Sequence, residues 1–455
     1  MLYDSEKKNI TMALTGDIML TRRLSVFTED RFLQLREHLR NADVAFANLE
    51  GCVRKYDEGS PTVSSGTFIT TEPKLLDDIK WLGINLLSCA NNHVFDYGEE
   101  GALANMRHLD ASGIPYAGLG RNLREARNPA YLDTPGGRVA LIATNSFFSV
   151  WSQASEQRPD ASGRPGINPL GFQTSYTIDR QAIKELRRIG TSLGFEAEKV
   201  RGRNFGFFTS SEIGIDSEEE YSFLGQKFIA GDNFTVQTQA NARDVTDNLQ
   251  QIREAKRQAD WVIVSLHYHQ MGGSALLTAQ KGTEMEECAE FIKDFACRCI
   301  DEGADMVVGH GPHFMLGMQL YKEKPIFYSL GNLVAQNETV RFFPAHAYSR
   351  FGLDHSATPA DFLDARSDGD IKAHPADPLF WQTIFAECNF TSGKLKNIVL
   401  HPVDLGYGRP RSQRGRPLIA DAETGEKIIT RLACLSRQSG TEISYRDGCG
   451  IIEVT

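Results

Sequence analysis

Residues 305–314 read DMVVGHGPHF and place His310 and His313 three apart on a Gly-Pro turn. Proline in that turn rules out a helix. Two imidazoles on a rigid turn, just after a short apolar run, could aim their nitrogens at one metal ion. Alone, the pair could equally be two loop histidines. Other apolar runs end the same way, in groups that a core rejects. ITMALTGD ends in Gly16-Asp17, and DVAFANLEG carries Asn48 and Glu50. INLLSCANNH ends in Asn91, Asn92 and His93, with Asp96 three further on. WVIVSLHYH ends in His267, Tyr268 and His269, and KPIFYSLGNLV carries Ser329, Gly331 and Asn332. Carboxylates, an amide oxygen and imidazoles form an N/O donor set that suits Mn, Fe, Zn or Co better than an all-oxygen Ca or Mg cage. At such a site bound water is acidified to a pKa of ~7, and two ions about 3.5–4 Å apart clamp both oxygens of a displacement.

Each motif has a blander reading. Gly16-Asp17 fits a turn, Glu50 a cap, and Asn91-Asn92-His93 an Asx-rich turn. Asp96 could bond its own backbone or orient His93. In HYH, strand alternation sends the two imidazoles to opposite faces. His267 is therefore the expected ligand, with His269 behind it or facing substrate. The clustering favours the metal: five of the eleven histidines lie at these strand ends.

The elements that must position these residues follow a β/α alternation. Strands are expected at 10–17, 43–51, 84–93, 138–146, 261–269, 304–313 and 324–334. Helices between them are expected at 31–42, 73–83, 99–113 and 243–259. That rhythm marks an α/β sheet, whose parallel strands open their carboxyl ends onto one edge. Residues 150–235 break the rhythm and read as a large insertion that shapes the substrate pocket. The expected core spans 9–334, and 335–455 reads as a loop-rich extension completing the same domain, with loop over 335–380, strand patterns from LFWQTIFAECNF onward and a helix at about 421–436.

Composition narrows the function classes. The chain has 455 residues, 41% hydrophobic and 24% charged, with a net charge of −10. It forms a core, and it is a poor binder of nucleic acid or anionic membrane. The arginine run Arg409, Arg411, Arg414 and Arg416 reads as a mobile loop for the same reason. No apolar stretch is long enough for a membrane anchor or signal peptide. Eight cysteines without a CxxC pair read as reduced thiols of a cytoplasmic protein. Arg22, Arg23 and Arg164 are candidates for holding a phosphate or carboxylate, against exposed surface arginines as the alternative. Nothing in the sequence excludes a homo-oligomer.

The motifs TGDIML, ANLEG, SCANNHVFDYG, VSLHYH, GADMVVGHGPHF and IFYSLGNLV occur together and in order. In that set the chain resembles the CapA-type proteins of poly-γ-glutamate capsule biosynthesis, in the calcineurin-like metallophosphoesterase superfamily. The resemblance runs from about residue 10 to 334 and returns weakly near GRPLIADAETGEK. It implies a four-layer αββα sandwich with a dinuclear site holding Mn, Fe or Zn. By this resemblance Asp17 looks like the first metal-binding aspartate, and Glu50 stands where a bridging aspartate is usual. Asn92 looks like the metal-binding asparagine, His93 like the acid that protonates the leaving group. His267 and His310 look like ligands of the second metal, His313 of the first. The chain departs from the superfamily at Asp17-Ile-Met19, where Asp-x-His is usual, and from the CapA pattern at His269, where glycine after a tryptophan is usual. CapA proteins are typically membrane-anchored, and no anchor is read here.

The expected function is that of a soluble metal-dependent hydrolase acting on a small or oligomeric anionic substrate. Metal-bound hydroxide would attack a phosphoester or a γ-glutamyl-like amide, with His93 as general acid. The alternative is a non-catalytic polymer- or metabolite-binding protein of the same family.

Overall fold

The run ITMALTGDIM forms the strand Ile10–Met19, buried along nearly all its length. Burial on both faces is the mark of a strand inside a parallel, doubly covered sheet. It pairs in parallel with Val44–Leu49 and Asn332–Ala335, and antiparallel with Gln382–Thr391. The computed structural model describes residues 7–64, 66–207, 216–272 and 286–454. They form an α/β protein of two compact units.

The larger unit comprises residues 1–170, 243–269 and 296–455. It holds two large sheets. In the first, Ile10–Met19, Val44–Leu49, Leu86–Ser88 and Tyr116–Ala117 continue in parallel order. Its other half is antiparallel, built from Gln382–Thr391, Lys394–Asp404, Cys449–Glu453 and Ser444–Arg446. In the second sheet Gly137–Asn145, Trp261–His267, Met306–His310 and Lys324–Phe327 run parallel. One core cluster joins Met12, Leu14 and Phe46 of the first sheet to Leu141, Ile263 and Val308 of the second. Alternate residues of the first sheet, Ala13, Ala45 and Leu87, pack instead with Phe32, Leu35, Ile79 and Leu109 from the helices. Period-2 alternation thus divides each strand between two apolar layers.

The smaller unit comprises residues 171–242 and 270–295. Its four-stranded sheet runs in the order Glu220–Phe223, Gln226–Ala230, Phe172–Ile178, Thr235–Ala240. The helix Arg180–Ser192 starts at Asp179, whose side chain accepts from the Ala182 N–H. Ile178, Ile183 and Tyr221 make its small core. The insertion expected at 150–235 thus divides: 150–170 belong to the larger unit, and 270–295 join the smaller.

After residue 380 the strand patterns and the helix expected of the tail are present. Gln382–Thr391 and Lys394–Asp404 are long paired strands, and Ala422–Arg437 is a four-turn helix. The arginine run is anchored rather than mobile. Arg411 pairs with Asp364 and Asp370, Arg414 with Glu338 and Asp370, and Arg416 with Glu29.

Two local features set the site's frame. A Cβ at Gly16 would lie 1.8 Å from the Gly331 carbonyl oxygen, so only glycine allows the two backbones to touch there. The helix Asp30–Asn41 is tied to the first sheet through Glu387, whose two oxygens meet His38 Nδ1 at 3.0 Å and His401 Nε2 at 2.8 Å. Burial would raise the Glu387 carboxyl, but the bonds to His38 and His401 outweigh it and hold it at about 2. The same bond raises His38. The Glu387 contribution is present above its ordinary 4.5 and is lost as pH falls toward 2. That of His38 is present below 6.5 and is lost as pH rises through its elevated value. Glu387→Gln should therefore destabilise the fold by about 1–3 kcal/mol between about pH 4.5 and 6.5, and by less at pH 9. Urea denaturation across that range checks it, and a loss of equal size at every pH would assign the triad to packing alone.

Candidate metal centre

The carboxyl ends of the parallel strands bring the predicted residues together. In the first sheet Asp17 lies in register with Asn48 on one side and Asn332 on the other. In the second sheet His267 lies in register with His310. Asp17, Glu50, His267 and His310 are all fully buried.

Asp17 is the hub. Its Oδ1 is 3.4 Å from His310 Nδ1 and 3.9 Å from His267 Nδ1, and its Oδ2 is 3.7 Å from His313 Nδ1. Asn48 Nδ2 donates to Oδ1 at 2.7 Å, and the Gly311 N–H donates to Oδ2 at 3.0 Å. Burial works to raise this carboxyl, yet the bonds and charges of His310, His313 and Asn48 hold it below the ordinary range.

Glu50 is the opposite case. Its Oε1 is 3.9 Å from His267 Nε2 and 3.7 Å from His93 Nε2, and its Oε2 is 3.6 Å from His313 Nδ1. Neither oxygen accepts a hydrogen bond among the described residues. Burial, with Asp17 and Asp96 nearby, raises its carboxyl well above the ordinary range. A buried carboxylate without donors costs several kcal/mol, which a neighbouring cation removes.

The imidazoles are ordered by their second nitrogens. His267 Nε2 meets Asn92 Oδ1 at 2.8 Å, and His310 Nε2 meets Ser265 Oγ at 2.6 Å. The Asn92 oxygen can only accept, so His267 carries its proton on Nε2 and turns a lone pair at Nδ1 toward Asp17 and His310. The two Nδ1 atoms are 3.0 Å apart. Burial first, and then the other imidazoles, push His267 well below its ordinary value, so it is neutral at pH 7. His313 has φ +67 and is clamped by Asn332, which meets its Nδ1 at 2.9 Å and donates to its carbonyl at 3.1 Å. Non-glycine residues at positive φ are uncommon and concentrate at functional sites.

The inward lone pair of His267, beside a Glu50 carboxylate that no group among the described residues hydrogen-bonds, fits a divalent transition ion. Among the described residues four trios have donor atoms within 4.8 Å of one another, three of them here: Asp17, His267 and His310; Asp17, Glu50 and His313; Glu50, His267 and His269; the fourth is the His38, Glu387 and His401 triad.

His269 reaches this group because the strand stops early. Trp261–His267 ends at His267, so the alternation that would turn His269 away no longer applies. Its ring centroid is 5.4 Å from those of both His267 and His313. Burial lowers His269 to about 3. His93 stands on the other side of Glu50, with Nδ1 2.8 Å from Asp96 Oδ2. Asp96 also accepts from the Ile69 N–H at 3.3 Å. It therefore orients His93.

The arginines are elsewhere engaged. Arg22 donates to the Ser412 carbonyl at 3.0 Å, Arg23 to Asp78 at 3.3 Å, and Arg164 to the carbonyls of Gln153 and Val150 at 3.1 and 3.0 Å. None bonds a residue of the centre. Sequence reasoning missed Ser265, although it sits two residues before His267 on the same strand face. It also missed His374, whose ring centroid is 5.3 Å from that of His313. His374 lies in a segment without periodicity, where no pattern marked it.

A sheet edge carrying such a group defines an α/β protein with a candidate metal centre. The chain belongs to the bacterial capsule synthesis protein family PGA_cap, whose family model matches residues 11–337. It is 31% identical to the uncharacterized protein y4sH of Sinorhizobium fredii, over 98% of this chain and 93% of that one. It is 23% identical to the capsule biosynthesis protein CapA of Bacillus anthracis, over 72% of this chain and 60% of that one. A probable polyglutamine synthesis accessory protein of Mycobacterium tuberculosis is 34% identical over 56% of this chain and 46% of its own length. No helix among the described residues is long and apolar enough to cross a membrane.

Proposed function

We propose that this chain is a metal-dependent hydrolase of the capsule synthesis family, acting on a phosphoester or a γ-glutamyl-like amide. The reading includes the four-layer αββα arrangement of the metallophosphoesterases and a place in capsule or poly-γ-glutamate biosynthesis, as the name of the Bacillus anthracis relative suggests. It also includes work in the cytoplasm, which eight free thiols support.

The observation that carries it is Glu50, buried and without donors between His93, His267 and His313. Asp17, Glu50, Asn92, His267, His310 and His313 would hold two ions of the Mn, Fe or Zn type. Bound there, such ions supply Lewis acidity and lower the pKa of water to ~7. The chain's own groups do the rest. Asp96 holds His93 at Nδ1 and leaves Nε2 toward Glu50. A water oxygen adds to phosphorus or to the carbonyl carbon and gives up a proton to solvent, the bond to the leaving oxygen or nitrogen breaks, and that atom takes the proton from His93 Nε2. His269 and His374 flank His313 and wall the substrate side of the centre.

The test is turnover of three substrates by the full chain supplied with Mn: a generic phosphodiester, a phosphomonoester and a γ-glutamyl amide. Turnover of one, dependent on His93, is expected and names the bond. No turnover of any, by protein that holds metal, would leave a binding protein.

A further inference from the structure

Arg366 lies on the helix Pro359–Ser367, which begins in a capping box at Thr358. Its Nη1 donates to Thr67 Oγ1, the one hydrogen bond its guanidinium makes among the described residues. No carboxylate of the described residues pairs with it. The nearby carboxylates are already spent: Glu338 and Asp370 take Arg414, and Asp364 and Asp370 take Arg411. Arg350, also without a carboxylate partner among the described residues, adds a like charge beside Arg366. A half-buried guanidinium usually meets an anion, because desolvating a cation without one is costly.

The guanidinium lines a cavity of about 30 Å³ with Thr67, Asn337, Ser367 and His374, and with Glu338, whose carboxylate is held by Arg414. On that measure one water needs about 10–15 Å³, so the cavity has room for the two oxygens of an oxyanion edge. Two links tie the cavity to the centre. His374 stands between it and His313, 5.3 Å from the His313 ring. Thr67 belongs to the segment that also brings Ser64 Oγ to 3.5 Å from His93 Nδ1.

We propose that Arg366 forms an anion-binding subsite beside the metal centre, taking a carboxylate or phosphate that the substrate carries next to the bond to be cut. The forked guanidinium matches either oxyanion in bidentate fashion. Thr67 and the capped helix hold it in place, and Arg350 raises the local positive potential. The arginines that the sequence suggested for this task are bound up in structural contacts, and Arg366 takes their place. The subsite rests on the hydrolytic reading for its role in catalysis, but anion binding is measurable without turnover.

The test is calorimetric titration of the full chain at low salt with inorganic phosphate and, separately, with glutarate. It uses wild type, Arg366→Gln and Arg366→Lys, and wild type again after dialysis against a chelator. Binding of at least one anion to wild type is expected, weakened tenfold or more in Arg366→Gln, partly kept in Arg366→Lys, and kept after chelation. Preference for phosphate would indicate a phosphorylated substrate, and preference for glutarate a carboxylated one. Equal binding by wild type and Arg366→Gln, binding that disappears with chelation, or no binding by wild type would each overturn the subsite. Arg366-dependent binding by a protein without turnover would instead keep the subsite and sink the hydrolase.

Discussion

His93→Gln is expected to lower turnover by about 10²–10⁴-fold, the usual worth of a positioned general acid, while metal content and melting temperature stay near wild type. The side chain sits at the rim of the centre, with Nε2 3.7 Å from Glu50 and Nδ1 on Asp96. Removing it takes away a proton donor and leaves Asp17, His267, His310 and His313 in place. The loss should grow with the basicity of the leaving group, because a poor leaving group needs the proton most. Asp96→Asn should lower turnover less, since it disturbs the orientation of His93 without removing it. Steady-state rates on two esters of different leaving-group pKa check both. Equal losses on both esters would mean that His93 holds the substrate and does not protonate it.

His310→Ala is expected to release metal. His310 contributes a nitrogen 3.4 Å from Asp17 and 3.0 Å from His267 Nδ1, and Ser265 holds its other nitrogen. Loss of a residue that merely supports a ligand weakens metal binding by about 10–100-fold. Loss of a ligand should cost at least that. Ser265→Ala should fall in the supporting range. Competition with a chromogenic chelator measures both. Wild-type affinity in His310→Ala would exclude His310 from the centre.

Much of the site could be read from the sequence, because parallel strands deliver their ends to one edge. Asp17, Glu50, His267, His310 and His313 each follow an apolar run, and the fold joins them in overlapping trios through Asp17, Glu50 and His267. What was misread follows from limits of local pattern. HYH left the place of His269 open between a position behind His267 and one facing substrate; Trp261–His267 ends at its first histidine, so strand alternation does not turn His269 away. Arg22, Arg23 and Arg164 carry the right charge, but their partners are carbonyls and carboxylates distant in sequence, which spacing cannot reveal. Arg366 and His374 lie in a segment with little periodicity, and only tertiary packing brings them beside His313. The strands after residue 380 were visible as apolar patterns. Their antiparallel pairing to Ile10–Met19 was not, because nothing local encodes a partner some 370 residues away.

The most direct measurement is elemental analysis of the purified full chain, as isolated and after incubation with Mn and Zn followed by gel filtration. The expected result is retained Mn, Fe or Zn approaching two per chain, sharply reduced in His310→Ala. A wild-type chain that neither carries nor takes up a divalent metal would contradict the metal centre and the hydrolysis built on it.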